Sequence, residues 1–294
     1  MQYFDTNFLW IFLTAVCIAI PSAILGSFLI LRKMAMIGDA ISHAVLPGIV
    51  IAYLFTQSYS ALPMLFAAAG LGVLSTFMIE SFNKIGRLQE DASIGVTYTW
   101  LFAIGVIMIS FFNDNLDIDQ DCVLFGEIAY VPLDLIQLSS TIWLPRAFVL
   151  GLCMLIVVVG LISFAFNGLK ITSFDPLYAA SIGMSVAAIN YGLMSLVSFV
   201  TVFSFESVGA ILVLAFLVVP SATAYLLSKQ LKKMIYLACG FSIHAVFWGY
   251  LLSVKLNASV AGAMATILGL QFFIVFLVNV VVQKNKTIYH HSKS

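Results

Sequence analysis

The sequence predicts an all-α integral membrane protein, a polytopic bundle of about nine transmembrane helices, and three observations carry that prediction. Of the 294 residues, 62% are hydrophobic and only 9% are charged, with a mean hydropathy of +1.10. A water-soluble domain of this length would leave much of that apolar surface facing water, so lipid is the solvent the composition requires. The apolar residues also gather into nine runs near the length needed to cross a hydrocarbon layer of roughly 30 Å, which takes about 20 helical residues. Finally, the basic residues sit at alternate run ends, as topology demands of a multi-pass chain.

The runs cover about 8–31, 35–56, 61–80, 93–112, 143–166, 183–204, 207–228, 234–254 and 259–282. The first is free of charge and bends at Pro21. The second contains Asp39, His43 and Pro47, and the sixth contains Asn190 among small residues; these two are the weakest, which leaves eight spans as the alternative count. The third ends before Lys84 and Arg87, and the fourth opens behind Glu90 and Asp91. Pro220 interrupts the seventh, His244 lies among aromatics in the eighth, and Ala258, Gly262 and Thr266 recur at helical spacing in the ninth. Small residues at that spacing allow close helix packing.

An N-terminus outside puts Arg32, Lys33, Lys84, Arg87, Lys170, Lys229, Lys232, Lys233, Lys284, Lys286 and Lys293 on the cytoplasmic side. Only Arg146 and Lys255 remain outside, and the C-terminus is cytoplasmic. One transmembrane domain then fills residues 1–294, with an extracytoplasmic loop at 113–142. Asp114, Asp117, Asp119 and Asp121 in that loop either attract cations or a basic partner surface, or are merely solvated. The first run has no positively charged lead, so no cleavable signal peptide is expected. Cys17, Cys122, Cys153 and Cys239 lie far apart and indicate neither a disulfide framework nor a thiolate site.

The chemistry centres on GDAISHAVLPG at 38–48. Asp39 and His43 are four residues apart, so on a helix they share one face. Counted from Arg32 and Lys33, Asp39 lies roughly 9 Å into the second span and His43 one turn deeper. Carboxylate oxygen with imidazole nitrogen suits a borderline divalent cation, and ionisable residues inside a span mark a functional site. The alternative is an Asp that caps the helix and hydrogen-bonds the His. Glu90, at the start of the fourth span, is the third candidate ligand or else a plain N-terminal acid favoured by the helix dipole. His244 reads as an interhelical hydrogen bond or a further ligand, and His290 and His291 as a solvated tail.

Residues 173–185 form a cytoplasmic loop with a short helix starting at Asp175 and Pro176, an N-cap followed by proline in the first turn. Such a helix is a connector, or the shape by which a membrane subunit takes up force from a motor. No GxxxxGK[ST] sequence is present, so the chain has no P-loop of its own, and no HExxH marks a metalloprotease.

GDAISHAVLPG at 38–48, EDASIG at 90–95, LFGEI at 124–128, SFDPLYAASIG at 173–183 and VGAILVLAFLVVPSATA at 208–224 closely resemble the membrane permease subunits of bacterial ABC importers for manganese, zinc or iron. The resemblance runs in order over nearly the whole chain. It implies a transport subunit rather than an enzyme, in the bacterial cytoplasmic membrane, with no permanently bound cofactor and Mn2+, Zn2+ or Fe2+ as cargo. The partners it implies are a second copy or related permease, a cytoplasmic ATPase, an extracytoplasmic metal-binding protein and membrane lipid, with no nucleic acid. Asp39, His43 and Glu90 then look like metal-pathway residues, and Asp175, Pro176, Ala179, Ile182 and Gly183 like the coupling helix that docks into the ATPase. The pair alone would also allow a secondary or passive metal transporter without an ATPase. Leu256, Asn257 and Ala258 stand where the family often has an acidic residue.

Overall fold

The computed structural model describes residues 6–56, 61–111, 128–139 and 142–291. Among them lie the helices α1 (Thr6–Leu31), α2 (Ile37–Ala44), α3 (Leu46–Thr56), α4 (Ala61–Lys84), α5 (Glu90–Phe111), α6 (Arg146–Phe174), α7 (Pro176–Ser181), α8 (Val186–Val208), α9 (Ala210–Leu227), α10 (Leu231–Leu256) and α11 (Val260–His291). Nine stretches of the described residues are long and apolar enough to cross a membrane. The second of these is composite, residues 37–56, and is made of α2 and α3 in succession.

Helices α1 and α9 meet at the centre of the bundle. At Gly26 a Cβ atom would lie 1.7 Å from the Leu217 carbonyl oxygen and 2.8 Å from Ser221 Oγ, so only hydrogen fits there. Ser221 Oγ also donates to the Ala23 carbonyl at 3.0 Å. Small residues draw membrane helices together because lipid offers no hydrophobic drive, leaving contact and hydrogen bonding to hold them. Around this pair α1 also packs against α6, α8 and α10. Phe28, Leu25, Ile18, Phe216 and Leu212 fill the interior.

Most buried hydroxyls bond within the protein, although Thr14 Oγ1 finds no partner there. Ser22, Thr76, Thr97, Thr201, Ser204 and Ser242 each donate to the carbonyl four residues earlier in their own helix. A polar group left unpaired in hydrocarbon is costly, so this back-bonding makes serine and threonine tolerable inside spans.

Three features depart from the sequence reading. The fifth span was expected to end near residue 166, but α6 continues to Phe174. Thr172 and Ser173 bond back to the Gly168 and Leu169 carbonyls at 2.9 and 2.6 Å, which keeps the polar tail helical. Next, part of the expected 113–142 loop holds a 3-10 turn, Ile128–Leu133, that leads into an antiparallel hairpin of β1 (Leu135–Ser139) and β2 (Ile142–Pro145). Its apolar runs are too short for a spanning helix, and their branched and aromatic residues suit a strand. Asp114, Asp117, Asp119, Asp121 and Glu127 lie outside the described residues. Lastly, Ala258, Gly262 and Thr266 face outward, and the close α10–α11 contact falls instead at Gly249, whose Cβ would sit 2.5 Å from Met264 Cα.

Candidate functional site

Helix α2 begins later than the sequence suggests. Lys33 adopts φ 62°, Met34 N–H bonds to the Leu29 carbonyl at 2.9 Å, and turns absorb the chain up to Ile37. Asp39 therefore sits in the first turn of α2, about 3 Å along the helix rather than 9 Å, at 1.5 Å per residue. That places the carboxylate where the N-terminal dipole favours an anion, and His43 in the last turn of the same helix.

The two side chains do share a face. His43 Nε2 lies 3.7 Å from Asp39 Oδ1, beyond hydrogen-bond range. Two donors about 2.1 Å from one tetrahedrally coordinated ion stand about 3.4 Å apart, so the observed 3.7 Å is slightly wider than the separation of two ligands of one such cation. The imidazole is held against Tyr98 and Phe102 of α5, with ring centroids at 5.6 and 5.7 Å. Their side chains nevertheless remain 41% exposed at His43 and 43% at Asp39. Directly above, the helix breaks at Val45. Pro47 has no N–H to give the carbonyl one turn back, at His43, and the backbone shortens to a Gly48 N–H bond onto the Val45 carbonyl at 2.9 Å.

Glu90 is the first residue of α5, and its side chain lies outside the described set. Tyr98, which packs on His43, is eight residues further on, so the Glu90 backbone stands about 12 Å towards the start of α5 from that contact. Asp91 is exposed. No group of three or more His, Cys, Asp or Glu side chains that could hold a metal ion comes together among the described residues.

The short helix expected at Asp175 is α7. Asp175 Oδ1 accepts from Tyr178 N–H at 2.9 Å, and Pro176 occupies the first turn. Gly183, at φ 83°, closes the segment with its N–H on the Ala180 carbonyl, and Met184 N–H returns to the Ala179 carbonyl, both at 3.0 Å. Ala179 is fully buried and packs α7 against its own protein. The outward surface is Leu177, Tyr178 and Ile182, exposed at 83%, 54% and 49%. Leu177 and Tyr178 escaped the sequence reading, although an apolar pair straight after a capped proline was the available signal.

Arg32 also escaped, having counted only as a topological charge. Its Nε donates to Ser173 Oγ at 2.9 Å, Nη2 to Thr172 Oγ1 at 2.8 Å, and Nη1 to Asn190 Oδ1. Burial pushes its guanidinium down to about 10. Beside it opens a cavity of about 630 Å³ between α1, α4, α6 and α8, lined also by Pro176, Glu80 and Asn83. His244 forms the interhelical contact envisaged for it, Nδ1 against Gln271 Nε2 of α11, with its ring 6.1 Å from Trp248. Asn257 occupies the left-handed cap of α10 at φ 52°, a role asparagine fills without an acid nearby.

Three comparisons bear on this arrangement. Residues 5–279 match the model of the ABC 3 transport family. A manganese transport system membrane protein, MntD of Bacillus subtilis, is 41% identical over 268 residues, spanning 91% of this chain and 90% of that protein. A zinc transport system membrane protein, TroD of Treponema pallidum, is 40% identical over 266 residues, spanning 90% of this chain and 72% of that one. Among solved structures, PsaBC from Streptococcus pneumoniae in complex with Fab superposes with a TM-score of 0.74 at 31% identity, covering 92% of this chain and 91% of that chain. The two relatives differ by one percentage point in identity, and the match covers more of the manganese protein than of the zinc protein.

Proposed function

The chain belongs to the ABC 3 transport family, and from that premise we infer that it is the membrane permease of an ATP-driven importer for a divalent transition metal ion. It is a multi-pass protein of the bacterial inner membrane. Membership of an ABC family disfavours the secondary or passive transporter that the ionisable pair alone would allow. A separate cytoplasmic subunit hydrolyses ATP, and an extracytoplasmic binding protein delivers the ion. The N-terminus lies outside, the C-terminus inside, and Mn2+, Zn2+ or Fe2+ is the cargo.

One observation carries the ion path: Asp39 and His43, 3.7 Å apart on one helix face, remain half open within an apolar span. Such groups facing lipid would be expensive, so the open side borders a water path or the facing surface of a second permease. A second copy bringing its own pair would complete a four-donor set across the interface. Glu90, nearer the cytoplasmic end of α5, receives the ion after the pair. Weak, shared coordination suits a conduit, because an ion held too tightly is not released. The acidic residues at 114–121 draw cations towards the outer mouth.

Leu177 and Tyr178 of α7, with Ile182 at its C-terminal cap, form the apolar knob that seats in the ATPase, and Asp175, Pro176 and Gly183 fix its shape. Uptake of radiolabelled Mn2+ and Zn2+ by cells with matched membrane expression tests the path. Asp39→Asn removes the charge at constant size, and His43→Ala removes the nitrogen donor. Each lowers uptake at least tenfold while insertion and oligomeric state are unchanged. Wild-type rates in both variants would show the pair to be structural.

A further inference from the structure

Arg32 lies one residue beyond α1, at the head of the turn that leads into α2 and its Asp39. Its three hydrogen bonds reach elements far away in sequence: Thr172 and Ser173 end α6, and Asn190 lies in the first turns of α8. Those two places are the two flanks of α7, which occupies Pro176–Ser181 between them. One guanidinium thus ties both supports of the exposed short helix to the segment that positions the ionisable pair.

Three physical features suit this link to motion. Every acceptor is a neutral oxygen, so no bond holds the group as firmly as a buried carboxylate pair, and partners can be exchanged. The fork is planar and pre-organised, which lets a single side chain bridge two helices at fixed angles. The cavity of about 630 Å³ beside it, with Pro176 in its wall, supplies free space that a close-packed interior would deny to a shifting α7. Lys33 at φ 62° then passes the backbone directly into the turn before α2.

We propose that Arg32 is a positioning residue that carries displacement of α7 to α2, so that movement at the ATPase surface resets the Asp39 and His43 ligand pair. The inference rests on the reading of α7 as the coupling helix. Arg32 touches neither the ion nor the motor. It acts by holding the α1–α2 turn in step with the ends of α6 and α8.

The test uses the full chain in complex with its ATPase, reconstituted in liposomes with its metal-binding partner and Mn2+ as probe ion. Import and ATP hydrolysis are measured in the same vesicles. Arg32→Gln is expected to keep hydrolysis within twofold of wild type and to lower ions imported per ATP at least tenfold. The Thr172→Val and Asn190→Ala double variant, which keeps the charge and removes acceptors from both flanks, is expected to do the same, and adding Arg32→Gln to it makes matters no worse. That double variant decides the matter if Arg32→Gln fails to assemble. Arg32→Lys, which retains charge without the fork, imports no better than Arg32→Gln. A wild-type ratio in either single variant overturns the link, as does a parallel fall of import and hydrolysis in an assembled complex. Absence of ATP-dependent import by the wild-type complex instead overturns the transport reading, and this inference with it.

Discussion

Replacing Asp175 by alanine removes the one side-chain acceptor at the head of α7, the oxygen that Tyr178 N–H meets at 2.9 Å. Loss of an N-cap costs typically about 1 kcal/mol, which at room temperature is a factor of about five in the helix equilibrium. A helix of six residues cannot sustain itself by propagation, because nucleation is costly and few bonds follow. Pro176 and the return bonds at Gly183 and Met184 remain, so the segment loosens rather than dissolves. The ratio of formed to loosened α7 then falls about fivefold, so Leu177 and Tyr178 are correctly presented less often, by at most that factor. In reconstituted vesicles Asp175→Ala accordingly lowers metal imported per ATP, by up to about fivefold, with thermal stability of the purified permease unchanged within error. Asp175→Ser supplies a replacement cap without the charge and restores most of the ratio. If the serine variant is as poor as the alanine variant, the carboxylate acts through its charge and the capping argument is wrong; if the alanine variant couples normally, α7 is a connector only.

Two further outcomes follow from the packing and the topology. Gly26→Ala forces a methyl group to within 1.7 Å of the Leu217 carbonyl, so α1 and α9 must part and the variant loses at least the roughly 1–3 kcal/mol usual for overpacking, visible as a lower melting temperature in detergent; an unchanged melting curve would contradict the contact. Single cysteines placed in 114–121 react with an impermeant thiol reagent on intact cells, whereas those in 84–90 and 170–174 react only after lysis, and the reverse pattern inverts the membrane orientation.

The spans were legible because composition and run length settle them together, and Asp175 with Pro176 announced α7 through local rules alone. The Asp39 and His43 face was legible too, since it depends only on helical spacing. Their depth was not, because the left-handed Lys33 that delays α2 carries no sequence signature distinguishing it from a helical lysine. The tail of α6 looked like a loop because hydrophobicity falls at Asn167 to Ser173, yet its hydroxyls bond back along the helix and its end is fastened by Arg32. Such a fastening joins residues about 140 positions apart, and no local pattern reports it. The inward side of α7 was not legible either: the family likeness marked the whole segment, while only the structure says that Ala179 faces its own protein.

The contact at Gly26 has a mechanical meaning. The hydrogen that replaces a side chain there points at the Leu217 carbonyl oxygen, the geometry of a Cα–H···O contact, and Ser221 adds a second tie one turn along. Helices separated by side chains can roll or ratchet, since rotamers change to let ridges pass. Two backbones in direct touch have no such bearing between them. Torque applied at the Arg32 end of α1 would therefore be delivered to α9 as well, the pair acting as a single shaft through the middle of the bundle.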